Sequence, residues 1–260
     1  MAGLTTGCAN TSVGRVRQRN EDAFLVMPEK DLFVVADGMG GHQRGDVAAN
    51  LCIDAVKEWF TGHLAPDARQ DLIDQVRELH GVSHRREIDL VASVEYANKL
   101  IVNTAMQSEA FKGMGTTAVA TLFYGTTVFI VYSGDSRVYR FRSGRLTQLT
   151  EDHSLVNEYI RLQMIRPADA RSFPYRNVIM KALGLKERAD LEFFKRRARP
   201  CDIYLLCSDG LTDMVEDHDI RQILKSDGTL EDRCRWLIDA AMDAGGFDNI
   251  TAALVEYDRS

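Results

Sequence analysis

The chain predicts an α+β layered sandwich, with antiparallel sheets at the centre and helices outside them. Strands and helices come in blocks rather than one by one, which argues against a doubly wound parallel sheet. Two long helical stretches in succession are followed by hairpin-linked strands, as expected for a helix pair lying on a sheet. Apolar runs such as Leu32-Phe33-Val34-Val35-Ala36 suit strands buried on both faces.

Taken in order, residues 4–10 read as a first strand and Ser12 to Arg17 as a turn. Ala23 to Met27 and Leu32 to Ala36 are strands joined by Pro28 to Asp31. Ala48, Leu51, Cys52, Ala55, Val56 and Trp59 fall at helical spacing, so Asp46 to Phe60 is an amphipathic helix stopped by Gly62. Pro66 opens a helix to His80, Gly81 to Glu87 is a loop, and Ile88 to Ser108 is a second long helix. Thr116 to Tyr124 and Thr127 to Tyr132 form a hairpin around Gly125-Thr126. Arg137 to Arg142 and Leu146 to Leu149 form another around Ser143-Gly144. Asp152 is expected to cap a helix bearing Leu155, Val156, Tyr159, Ile160 and Gln163. Pro167 to Asn177 is polar and reads as an exposed flap. Strands Leu191–Arg197 and Asp202–Leu206, helices Asp217–Lys225 and Leu230–Ala244, and strand Ile250–Tyr257 complete the chain. With no repeat, linker or composition break, residues 1–260 read as a single domain.

Several of these strands meet acids at their ends. Asp37 follows Leu32 to Ala36 and is itself followed by Gly38, Gly40 and Gly41. Asp209 follows the strand ending at Leu206, Asp135 follows the one ending at Tyr132, Asp248 precedes Ile250, and Glu21-Asp22 precede Ala23. One Asp-Gly pair is an ordinary turn. Converging carboxylates, in contrast, repel one another unless cations neutralise them. Oxygen-only donors, with no His or Cys at these points, favour magnesium or manganese over zinc.

The net charge of −6 argues against nucleic acid as a main partner. The five cysteines are scattered, contain no CxxC pair, and suit small core thiols in a reducing cytoplasm. Leu4 to Cys8 resembles a lipoprotein cleavage site but lacks the basic and apolar regions that precede one. No apolar run approaches the roughly 18 residues of a membrane span, so no membrane insertion is expected. His63, His80, His84, His153 and His218 show no metal-ligand spacing and are expected at the surface or in local hydrogen bonds. Lys195-Arg196-Arg197-Ala198-Arg199 reads as a solvated strand edge, or as an anchor for acidic partners.

Eight stretches in order resemble the metal-dependent protein serine/threonine phosphatases of type 2C, in their compact bacterial form. They are Val16 to Asp22, Ala36 to His42, Gly113 to Thr117, Ser133 to Arg137, Asp152 to Ser154, Ala182 to Gly184, Leu206 to Leu211 and Asp248 to Thr251. The resemblance implies a four-layer αββα sandwich: two packed antiparallel β-sheets flanked by antiparallel helix pairs. It implies that Asp37 bridges two Mn2+ or Mg2+ ions, with the Gly38 carbonyl, Asp209 and Asp248 as further ligands and Glu21 and Asp22 acting through metal-bound waters. Asp135 and Asp209 would hold a third, weaker ion, and Arg17 would grip the substrate phosphate.

The implied reaction is hydrolysis of phosphoserine and phosphothreonine in proteins by a metal-bridging hydroxide. Arginine suits a phosphate better than lysine does, because its planar fork binds two oxygens. Met39 stands where many eukaryotic members carry His, so His42 is the candidate acid for the leaving group. The implied partners are a Ser/Thr kinase and its substrates, with the protein a cytoplasmic monomer. The alternatives are turn or cap roles for Glu21, Asp22 and Asp135, a surface role for Arg17, and a helix-start role for His42. A pseudophosphatase would lack the acids, and a two-metal nuclease would carry a basic groove; the sequence shows neither feature.

Overall fold

The structure is a computed structural model and describes residues 4–40 and 44–258. Among the described residues the strands are β1 (Thr5–Ser12), β2 (Asp22–Met27), β3 (Leu32–Met39), β4 (Gly115–Thr116), β5 (Ala118–Tyr124), β6 (Thr127–Ser133), β7 (Arg137–Arg142), β8 (Arg145–Gln148), β9 (Glu192–Arg197), β10 (Asp202–Cys207) and β11 (Ile250–Tyr257). One sheet has the order β1-β11-β10-β7-β8. The other has the order β2-β3-β5-β6-β9, with β4 paired to the end of β3. All pairings are antiparallel. The helices are α1 (Gly45–Thr61), α2 (Pro66–His80), α3 (Arg85–Gln107), α4 (Leu155–Arg161), α5 (Asp209–Thr212), α6 (Asp217–Lys225) and α7 (Leu230–Asp243).

Strand alternation builds the layers. Leu32, Val34 and Ala36 of β3 pack with α1 and α3 residues, while Phe33 and Val35 point between the sheets. Ile250, Ala252 and Leu254 of β11 pack with α7 residues, while Ala253, Val255 and Tyr257 face inward. Three apolar clusters therefore separate four layers, as a sandwich of helix, sheet, sheet and helix requires. This is the predicted α+β architecture.

Local differences have physical causes. Ser154, not Asp152, caps α4: its side chain accepts from the Asn157 N–H at 3.4 Å. Asp152 is taken by Arg137, which binds it through two nitrogens at 2.7–3.1 Å. Helix α4 stops at Arg161, and Gln163 sits beyond it in a left-handed conformation. The expected strand Thr116 to Tyr124 is split at Thr117, whose N–H donates to the Asp37 carbonyl at 2.8 Å. Pro167 to Ser172 winds into a 3-10 turn, and the Phe173 ring packs back against Tyr159, tilted by 43° with centroids 5.3 Å apart. Strand β9 is a sheet edge, as its cations suggested. Cys201 is exposed rather than in the core, and His153 is buried in local hydrogen bonds.

Candidate metal centre

The acids gather where the inter-sheet layer opens at one end. Strand β3 runs through Asp37 to Met39, so Asp37 pairs with Asp22 on β2 and Gly38 pairs with Thr116 on β4. The other sheet contributes Asp209, the first residue of α5, and Asp248, two residues before β11. A cavity of about 640 Å3 is lined by Arg17, Glu21, Asp37, Gly38, Asp209 and Asp248, among others. A second, of about 440 Å3, shares Asp209 and Asn177 with it and is lined by Asp135.

Close backbone crossings hold this geometry. A Cβ on Gly38 would collide with the Gly45 carbonyl and lie 2.6 Å from the Glu21 carbonyl. A Cβ on Gly210 would collide with the Asn249 carbonyl. The glycines after Asp37 and Asp209 therefore let α1 and β11 close over the acids. The Asp37 carbonyl accepts from Thr117 N–H at 2.8 Å and Thr116 Oγ1 at 2.9 Å, while its own N–H donates to Thr117 Oγ1 at 3.1 Å.

The electrostatics ask for cations. Burial, then Asp22, Asp209, Asp135 and Asp248, push the Asp37 carboxyl well above its usual range. Burial and the neighbouring acids do the same to Asp209. Burial first, and then the Asp248 charge, puts Asp22 at about 6 despite the Ser208 hydroxyl that donates to it at 2.8 Å. Burial and Asp152 put Asp135 at about 6 as well. Glu21 is raised by burial and by Asp46. Asp22 Oδ1 and Asp135 Oδ1 are buried with no hydrogen-bond partner. Orphaned carboxylate oxygens amid mutually repelling acids fit hard divalent cations.

The acids nevertheless do not form a closed cage: among the described residues no three His, Cys, Asp or Glu side chains are gathered as a metal-holding group. Competing contacts hold some of them. Arg17 Nη2 donates to Asp248 Oδ2 at 2.7 Å, and Ser208 holds Asp22. Arg17 is half-exposed and lines the larger cavity. His42 lies outside the described residues.

Sequence reasoning missed the residues that brace the acids. Asn249 Oδ1 accepts the Glu21 N–H at 2.8 Å, and its Nδ2 donates to the Val13 and Arg19 carbonyls, each at 2.9 Å. Asn20 Nδ2 donates to Thr11 Oγ1 at 2.8 Å, and its Oδ1 accepts the Asp22 N–H at 3.2 Å. Thr117 and Ser136 hydroxyls join at 2.7 Å behind Asp37. The signal was present: amides flank the acids in Asn20-Glu21-Asp22 and Asp248-Asn249.

The family model of protein phosphatase 2C matches residues 10–245. The serine/threonine phosphatase stp of Listeria monocytogenes is 38% identical over 253 residues, covering 95% of this chain and 94% of that one. The crystal structure of the Mycobacterium tuberculosis serine/threonine phosphatase PstP/Ppp superposes with a TM-score of 0.83 at 34% identity, covering 98% and 99% of the two chains. The catalytic domain of PstP in complex with two manganese ions superposes with a TM-score of 0.79 at 33% identity, covering 98% and 99%. The chain belongs to the protein phosphatase 2C family.

Proposed function

We propose that this protein serine/threonine phosphatase hydrolyses phosphoserine and phosphothreonine in proteins with the aid of Mn2+ or Mg2+, and so reverses the action of a Ser/Thr kinase. The observation that carries the reading is that Glu21, Asp37, Asp209 and Asp248 line one cavity, with Arg17 beside them and ion-paired to Asp248. The PstP relative solved with two manganese ions supports a role for divalent cations here.

Asp37 and the Gly38 carbonyl, with Asp209 and Asp248, would hold the two core ions, and Glu21 and Asp22 would orient waters around them. Asp135 and Asp209, which line the second cavity together, would hold a third. When bound, the cations neutralise the carboxylates and supply an activated water for in-line attack on phosphorus. Arg17 has N–H donors beyond the one spent on Asp248, and these bind phosphate oxygens and offset charge in the transition state. His42 protonates the departing serine or threonine oxygen. The odd, unpaired cysteines support a cytoplasmic setting, and we read the protein as one monomeric phosphatase unit. Among the described residues no helix is long and apolar enough to cross a membrane.

The test is a phosphothreonine-peptide assay on chelator-stripped protein, beside a nuclease assay. Activity restored by Mn2+ on the peptide alone supports the reading; peptide hydrolysis indifferent to metal, or nuclease activity, overturns it.

A further inference from the structure

Beside the acidic centre, one histidine grips the residue that precedes Asp135. His153 is buried, in the loop between β8 and α4. Its ring nitrogen Nδ1 accepts the Gly134 N–H at 3.1 Å, and its own backbone N–H donates to the Gly134 carbonyl at 3.0 Å. A backbone N–H can only donate, so Nδ1 carries no proton and the ring proton sits on Nε2. Nε2 donates it to Glu192 Oε1 at 2.9 Å. Glu192 is fixed in turn by the Tyr132 hydroxyl at 2.7 Å and by Lys181 Nζ at 2.8 Å. The Tyr132 ring stacks on the imidazole, with centroids 4.9 Å apart and 13° between the planes. Burial, then the Lys181 charge, lowers the His153 pKa, in keeping with a neutral ring.

We propose that His153 is a positioning residue for Asp135: its ring, locked with Nδ1 as the acceptor, aims the Asp135 carboxylate at the cation site that Asp135 shares with Asp209. The proposal rests on the reading of that site as the place of a third ion. Glycine gives the chain just before Asp135 its widest conformational freedom, and the clamp on Gly134 removes it. The chain just after is tied as well. The Ser136 hydroxyl meets Thr117 Oγ1 at 2.7 Å, and Thr117 Oγ1 accepts the Asp37 N–H at 3.1 Å. Asp135 is thus held on both sides, while its Oδ1 is buried with no hydrogen-bond partner and its side chain lines a cavity with Asp209. A carboxylate fixed by its neighbours and unpaired at its own oxygen is prepared for a cation. His153 does not line that cavity, so it acts through Gly134 and not as a ligand.

The test is calorimetric titration of the metal-free full chain with Mn2+, with circular dichroism checking the fold of each variant. His153→Asn puts an amide oxygen near the place of Nδ1 and keeps an acceptor for Gly134. His153→Gln carries its amide out to the Nε2 end and leaves the Gly134 N–H without one. Both spare the backbone bonds of residue 153, so only the ring is tested. Wild type should bind a third, weaker Mn2+ beside two core ions, and Asp135→Asn should remove it. His153→Gln should weaken that third ion by about 10-fold or more, and His153→Asn by much less. A third ion bound as tightly by His153→Gln as by wild type overturns the positioning role alone, and so does an equal loss in both variants. Should His153→Gln not fold, Glu192→Ala decides. It changes a half-exposed side chain, frees the ring to take its other tautomer, and should weaken the same ion. An undisturbed third ion there overturns the role. Two Mn2+ per chain in wild type and Asp135→Asn alike would remove the third site itself, and the proposal with it.

Discussion

Asp22 and Asp37 face each other directly across the β2–β3 pair. Opposed residues of an antiparallel pair share a face, and the alternation of β3 puts Asp37 on the side of Phe33 and Val35, between the sheets. Ser208, just past β10 of the other sheet, reaches across to Asp22 at 2.8 Å. Like charges directly opposite are unfavourable, so this pairing must be offset by protons or by cations.

Stability without metal should therefore depend on pH with an unusual sign. Asp22 and Asp135 are raised to about 6, and Asp37 and Asp209 well above their usual range. Between the unfolded carboxylate value of about 4 and these raised values, the folded state binds more protons than the unfolded one. The contribution of these acids is thus most favourable below that range and is lost as pH rises through it. Urea midpoints in chelator should show Asp22→Asn stabilising the protein at pH 7.5, by up to about 3 kcal/mol, with the gain shrinking toward pH 4. Mn2+ should cancel the advantage. A variant no more stable than wild type at pH 7.5 would show that the acids are not in conflict.

Asn249 is a brace for the acidic loop. Asn249→Ala removes its three side-chain bonds to Val13, Arg19 and Glu21. A loss of about 2–3 kcal/mol is expected, together with a higher Mn2+ requirement for activity. Thermal unfolding and a metal titration measure the two effects, and an unchanged metal requirement would reduce Asn249 to a purely structural tie.

Arg17 is tied to Asp248 yet half-exposed to the cavity. Arg17→Ala should raise KM for a phosphothreonine peptide and lower kcat/KM, with a loss of about 1.5–3 kcal/mol. Unchanged kinetics would return it to the role of a surface arginine.

For His42 the comparison of two leaving groups is decisive. Alkoxides of serine and threonine need a proton to leave, whereas nitrophenolate does not. His42→Ala should slow phosphothreonine-peptide hydrolysis by on the order of 10²-fold and spare nitrophenyl phosphate. Equal losses on both would point to positioning or metal binding instead.

What was legible in the chain was whatever is written locally. The unbroken apolar run Leu32 to Ala36, the Gly125-Thr126 turn and the acids at the ends of apolar runs all carry their meaning within a few residues. The cap of α4 was misassigned because Asp152 and Ser154 are both good caps, and a partner fifteen residues upstream, Arg137, decides between them. Asn249 could not be read as a brace, because its partners Val13, Arg19 and Glu21 meet it only once β1 has paired with β11. The roles of Asp22 and Asp135 rest likewise on neighbours from the opposite sheet or a distant loop, which no periodicity reveals.

The central claim is that the strand-end acids work as a metal centre with Asp37 at its middle. The most direct test is Mn2+-dependent phosphothreonine-peptide hydrolysis by wild type and Asp37→Ala side by side, with circular dichroism confirming that both are folded. Activity that rises with Mn2+ in wild type and is abolished in folded Asp37→Ala is the predicted result. Full activity of Asp37→Ala, or of wild type in excess chelator, would contradict it.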